Sequence, residues 1–268
     1  MGQSPTQGPN PRQHEKQPAP LMTSAWEWWT SGYFHETPSS NGITEAAAGV
    51  SSWIGKIQGI EYSQSNGTSR PSLLNTPARG FNSPSIYFDT REVERLEAPS
   101  AGMEFLHNGT GGTMFIICAS GWYNAGDNPF TNGGRRNPVT MIGFALHTYE
   151  NPAGQQNYRV QIGNGAEFIS VQGISPVNEI SASAGYSASY STAAGCSVFH
   201  DGDPTTVNSA ELASPTLSAS TDAISYLGYE GNGTYWQGHI TDLVLWDRVL
   251  TAAEENEIRA WAKHRIKE

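Results

Sequence analysis

The sequence predicts an all-β protein of antiparallel sheets, and three observations predict it. Composition is the first: 29 Gly and 16 Pro stand beside abundant Ser, Thr and Asn, and 15% of residues are charged where about a quarter is usual. Helix-rich chains carry more Ala, Leu, Glu and Lys than this. The second is a series of short apolar runs broken by turn signals, with no βαβ alternation. The third is that helical periodicity stands out in one place, close to the C-terminus. The 268 residues suffice for one large β domain or two small ones. Eight Trp supply ample core material, which excludes disorder throughout.

Strands are expected at Ser85–Phe88, Thr113–Cys118, Val139–His147, Tyr158–Ile162, Phe168–Val171, Ile224–Leu227 and Ile240–Trp246. The run from Val139 is apolar on both faces, as in a central strand. Tyr158, Val160 and Ile162 alternate with Arg159 and Gln161, as on a half-exposed one. Thr251-Ala252-Ala253-Glu254 forms a capping box, in which hydroxyl and carboxylate satisfy orphan amides reciprocally. Ile258, Trp261 and Ala262 then recur at helical spacing, so a helix is expected over 251–266. Two stretches, Gly121–Pro138 and Gly173–Gly195, read as long loops.

Residues 1–40 read as an extended docking arm, and residues 41–268 as the β domain. Pro5, Pro9, Pro11, Pro18 and Pro20 alternate with Gln3, Gln7, Gln13 and Gln17, a composition that favours polyproline geometry with a reach of about 60 Å. Trp26, Trp28, Trp29, Tyr33 and Phe34 follow. Aromatic anchors of this kind dominate interfaces, so these five are the partner-docking candidates, for a protein partner or a second copy of the chain. Capping of the domain's own core explains them equally well.

The net charge of −10 repels duplexes and anionic membranes, and the longest apolar runs are too short to span a bilayer. Nucleic acid and membrane are therefore excluded as expected partners. The seven His and two Cys lack metal-ligand spacing. Asp201-Gly202-Asp203 and Asp127-Asn128 offer hard oxygen ligands for Ca2+, but Asp-Gly is a hairpin dipeptide, so no cofactor is expected. The Asn-Gly-Thr triplets at 66, 108 and 232 are read as turns.

The stretch Tyr226-Leu227-Gly228, Trp236 to Thr251 and Glu254 to Ile258 resembles the closing signature of concanavalin A-like lectin/glucanase domains of the laminin G-like and pentraxin-like branch. Upstream, Trp53, Arg70-Pro71 and Ile86-Tyr87-Phe88-Asp89 look like that family's opening pattern, without its Asp near Trp53. The resemblance covers roughly residues 50–266 and looks most like domains of bacterial and tailed-phage proteins. It implies a two-sheet antiparallel jelly-roll β-sandwich.

Glucanase members of that family carry alternate carboxylates on one strand. The nearest counterpart, Glu92-Val93-Glu94, sits among Arg91, Arg95 and Glu97 and reads as a self-paired charge run. The chain is accordingly expected to be non-enzymatic, and glycoside hydrolysis is the least supported reading. The leading expectation is a structural or decorating subunit of a larger assembly, virion-associated and anchored by its arm. The alternative is a lectin-like module, extracellular or at a cell surface without a classical signal peptide. Its glycan-binding candidates are Trp122, Tyr123, Asp127, Asn132 and Arg135, which combine aromatic faces with polar groups for hydroxyls.

Overall fold

The computed structural model describes residues 20–33, 36–76, 81–108, 110–120, 127–133, 135–137, 140–150, 156–164, 168–174, 184–191, 195–200, 203–204, 208–210, 224–229 and 233–266. A one-turn helix α1 (Pro20–Thr23) leads into β1 (Glu27–Thr30), β2 (Ile43–Ala46), β3 (Gly49–Ile54), β4 (Glu61–Ser63), β5 (Ser72–Leu74) and β6 (Ser85–Phe88). Then follow β7 (Leu96–Pro99), β8 (Gly112–Ser120), β9 (Asp127–Asn132), β10 (Arg135–Asn137), β11 (Thr140–Glu150), β12 (Gln156–Asn164) and β13 (Phe168–Ile174). The last are β14 (Ala184–Ser191), β15 (Gly195–His200), β16 (Asp203–Pro204), β17 (Asn208–Ala210), β18 (Ile224–Leu227), β19 (Gly238–Trp246) and α2 (Ala252–Ala262).

These strands make two antiparallel sheets. The first runs β16-β15-β14-β8-β19-β6-β5, with β1 also on β19. The second runs β17-β13-β12-β11-β9-β18-β7-β4-β3-β2, with β10 on β11. One core cluster joins the sheets: Met114, Ile116, Leu243 and Leu245 from the first meet Trp53, Tyr62, Phe130, Phe144, Leu146 and Val160 from the second. A register shift in β19 between Ile240 and Asp242 moves the alternation by one residue. Ile240, Leu243 and Leu245 can therefore all face this core.

The opposite face of the first sheet carries Phe115, Ile117, Val244 and Trp246, and α1 and α2 cover it with Leu21, Met22, Ile258 and Trp261. The capping box at Thr251 and Glu254 is formed. The helix ends at Ala262, earlier than its expected limit at 266. The chain turns there because Arg265 drops inside to meet Asp242 at 2.8 Å, while Ile266 forms a bridge with Phe81.

Two stretches expected as loops contain strands. Ala184–Ser191 pairs with β8 along seven residues, from Ala184 opposite Cys118 to Tyr190 opposite Gly112. Asp127–Asn132 lies between β11 and β18. A ladder is a backbone interaction, and a partner strand enforces it on sequences whose side chains carry no alternation. β15 and β16 pair with His200 opposite Asp203; Asp201 and Gly202, expected as a turn, lie outside the described residues. No described helix is long and apolar enough to cross a membrane.

Candidate functional site

Alternation along the second sheet sends one set of side chains into the core and the other to the outer face. Leu96, Ala98, Leu227, Phe130, Phe144 and Val160 point inward. The register then aligns an outward row: Ser63 is opposite Glu97, Glu97 opposite Tyr226, and Tyr226 opposite Thr131. Thr131 is in turn opposite Ala145, and Ala145 opposite Gln161. Thr131, Ala145 and Gln161 are buried, whereas Ser63 is exposed and Glu97 and Tyr226 are half-buried.

At the half-buried part of this row three tyrosines meet an ion pair. Tyr226 stands edge-on to Tyr229, ring centroids 4.9 Å apart and planes at 82°. Tyr229 leans on Tyr235 at 4.6 Å and 34°. The Arg95 guanidinium lies 5.1 Å from the Tyr229 ring centre and 6.0 Å from that of Tyr235. Its Nε donates to Glu97 Oε1 at 2.5 Å and its Nη1 to the Tyr235 hydroxyl at 3.2 Å. Burial opposes the Arg95 charge, but Glu97 and the tyrosines outweigh it and raise the pKa. Burial, helped by the Glu97 charge, raises the Tyr226 hydroxyl as well, so that hydroxyl remains a donor through the neutral range.

Backbone contacts at Gly228, Tyr229 and Trp236 position these rings. Gly228 adopts φ +77°, a left-handed conformation open to glycine. Its N–H donates to Pro129 O at 3.1 Å and its carbonyl accepts from Trp236 N at 2.9 Å. Tyr229 and Tyr235 face each other across an isolated bridge. Thr131 Oγ1 donates to Tyr229 O, and Gly233 N donates to the Tyr229 hydroxyl. Trp236 is buried, its Nε1 donating to Thr148 Oγ1.

The sequence-based glycan candidates divide around this cluster. Trp122 and Tyr123 lie outside the described residues. Asp127 and Arg135 are described as backbone positions in β9 and β10. Asn132 is buried on the core side, its Nδ2 donating to Met103 O at 3.1 Å. Sequence reasoning did not select Arg95, Glu97, Tyr229 or Tyr235 as ligand groups. The available signal was the alternation of Arg95 and Glu97 around Leu96 and Ala98.

Trp26, Trp28, Trp29 and Tyr33, four of the five aromatic docking candidates, contact other parts of the chain. Trp29 is fully buried, edge-on to Tyr62 at 5.1 Å, and its Nε1 donates to Ile60 O. Trp26 packs edge-on against Phe105. Trp28 is half-buried between Trp261 and Lys56, and Tyr33 lies 4.7 Å from the Arg265 guanidinium. Phe34 and residues 1–19 lie outside the described residues.

Glu92 and Glu94 do not alternate along a strand. Glu92 ends a 3-10 turn, Val93 takes φ +52°, and Glu94 folds back so that its Oε2 accepts from Asp89 N at 2.7 Å. Arg91 pairs with Asp89 and Arg95 with Glu97. Among the described residues no group of three or more His, Cys, Asp or Glu is arranged to hold a metal ion.

No protein-family model matches the chain, and no curated protein matches it. Solved structures do. A Trypanosoma rangeli sialidase superposes with a TM-score of 0.53 at 14% identity, over 88% of this chain and 32% of that one. The binding domain of Paraclostridial Mosquitocidal Protein 1 gives 0.53 at 10% identity, over 79% of this chain and 51% of that one. The chain thus spans less than two thirds of either, and what it shares with them is the fold.

Proposed function

We propose that this chain is a non-catalytic glycan-binding module whose contact surface is the outer face around Tyr226, Tyr229, Tyr235, Arg95 and Glu97. The supporting observation is the tyrosine cluster itself. Half-buried aromatic faces beside a guanidinium and a carboxylate match what a sugar offers, an apolar ring face with hydroxyls at its rim. We read the two sheets as the jelly-roll form of the lectin-like sandwich. Trp122 and Tyr123 are the aromatic glycan candidates of the sequence, and Trp122 is part of the test of this reading. The fold likeness to a toxin's binding domain is consistent with a recognition role.

The test is retention on immobilised polysaccharides, comparing the native chain with Tyr226→Ala, Tyr229→Ala and Trp122→Ala. Each tyrosine change is expected to weaken binding by roughly ten-fold, the worth of one aromatic contact, with unfolding temperature unchanged within a few degrees. Retention that survives all three changes refutes this surface. Release of oligosaccharide fragments on prolonged incubation refutes the non-catalytic assignment.

A further inference from the structure

We infer that the ligand of this face is a neutral glycan, discriminated from acidic ones by the closed Arg95–Glu97 pair. The inference rests on the glycan-binding reading and narrows it to a ligand class. Carboxylated and sulfated sugars are recognised by guanidinium groups whose charge no neighbouring carboxylate neutralises. Two of the guanidinium groups near this cluster, Arg95 and Arg91, are neutralised by a carboxylate, and a third, Arg70, donates to backbone carbonyls. Arg95 is held by Glu97 and the Tyr235 hydroxyl and stacks on two rings. Arg70, whose loop accepts the Arg95 N–H at Ser69 O, donates Nε to Gln64 O and Nη2 to Ser65 O. Arg91 is bidentate on Asp89, Nε donating to Oδ1 and Nη2 to Oδ2.

The carboxylates are freer. Glu97 keeps a third of its side chain exposed, at 34%. Glu61 is exposed on β4, two residues from Ser63 and on the same outward side. An acidic sugar arriving here meets these two charges first, within a chain of net charge −10. Vicinal hydroxyls fit better, because each can donate to one partner and accept from another. Arg95 and Glu97, 2.5 Å apart, present donor and acceptor side by side.

A printed panel of matched glycans tests this, each neutral oligosaccharide paired with its sialylated, uronic-acid or sulfated counterpart. The proteins are the native chain, Glu97→Gln and the double variant Tyr226→Ala/Tyr229→Ala. The native chain should hold a neutral glycan at least ten-fold more tightly than its acidic counterpart. Glu97→Gln removes the closing carboxylate and should shrink that gap at least five-fold, more at low salt than at high. The double variant should lose neutral binding. Acidic glycans held more tightly than neutral ones, through Tyr226 and Tyr229, overturn the ligand class and leave the glycan-binding reading standing. An unchanged gap in Glu97→Gln overturns the assigned cause. Binding that survives the double variant, or a native chain that holds no member of the panel, overturns this inference and the proposed surface together.

Discussion

Arg265 and Asp242 form an ion pair inside the molecule, Nη2 to Oδ2 at 2.8 Å, with side chains 1% and 0% exposed. Arg265 Nη1 also donates to Gly32 O and Nη2 to Thr30 Oγ1. One guanidinium thus ties the last described turn of the chain to β19 and to the segment after β1, and Trp28 Nε1 donates to the other Asp242 oxygen at 3.4 Å.

Removing one partner of such a pair strands the other charge in the interior. Arg265→Met is expected to destabilise the protein by about 3–5 kcal/mol, read from urea unfolding. Arg265→Met combined with Asp242→Asn should lose less than the sum of the two single changes. Additive losses would mean that the two groups do not act as a pair.

Glu27 provides a second buried anchor of the N-terminal segment. Its carboxylate, fully buried, accepts from the backbone N–H groups of Trp28, Ile57, Gln58 and Ile60 at 2.8–3.0 Å. Gly55 makes room for it, since a Cβ there would lie 2.2 Å from Glu27 Cδ. Glu27→Gln replaces an acceptor oxygen with a donor facing donors and should lose about 3 kcal/mol. Amides 57, 58 and 60 should also exchange hydrogen faster. A loss below about 1 kcal/mol would show that the 55–60 loop holds its shape without the charge.

These two anchors explain why the N-terminal aromatics could not be assigned from sequence. Trp26, Trp28 and Trp29 are equally good material for a partner's pocket and for the chain's own core. Trp29 packs on Tyr62 and Glu27 stands opposite Leu245, and both contacts depend on pairings across the whole chain. Strands dense in β-branched and aromatic residues were legible, as at Ser85–Phe88 and Ile224–Leu227, whose limits coincide with β6 and β18. β14 was not, because Ala, Gly and Ser carry little burial signal and the β8 ladder does the selecting. The tyrosine surface was half legible. Tyr226 falls in the closing signature, but Arg95 and Glu97 reach it through the β7–β18 pairing, which a local reading of a charge run does not contain.

Among the described residues, two buried glutamates contribute a pH dependence to stability. Burial pushes Glu94 up to about 7, and burial, offset in part by the Arg259 charge, pushes Glu255 up to about 7. Between about pH 4.5 and 7 the unfolded chain has released these protons and the folded one still holds them, so stability falls as pH rises, by up to about 1.4 kcal/mol per unit for each group. Above that window both states are ionised and the slope vanishes. Glu254 acts in the opposite direction: Arg248 and the Thr251 N–H hold it down to about 2, and its contribution is lost on acidification below its ordinary range. Glu94→Gln and Glu255→Gln should each flatten the decline toward neutrality in unfolding followed from pH 4.5 to 7.5. A native profile that rises over that range would contradict the burial of both carboxylates.

Gly228 links stability to the proposed binding surface. A Cβ at this position would lie 2.4 Å from Phe88 Cδ1, and the backbone is already left-handed at φ +77°. Phe88 is fully buried and packs 6.0 Å from Trp236, so it has little space to retreat. Gly228→Ala combines left-handed strain with overpacking and should lose about 2–4 kcal/mol. It should also shift the backbone contacts that align Tyr229 with Tyr235, so glycan retention should fall in protein that is still folded at low temperature. Tyr229→Phe provides the contrast. It keeps the ring and loses only the contact from Gly233 N to the hydroxyl, so it should retain most binding and most stability. If Gly228→Ala unfolds more easily yet binds glycan as well as the native chain, Gly228 supports the sheet without shaping the surface, and the contact would then rest on Tyr226 and the Arg95–Glu97 pair.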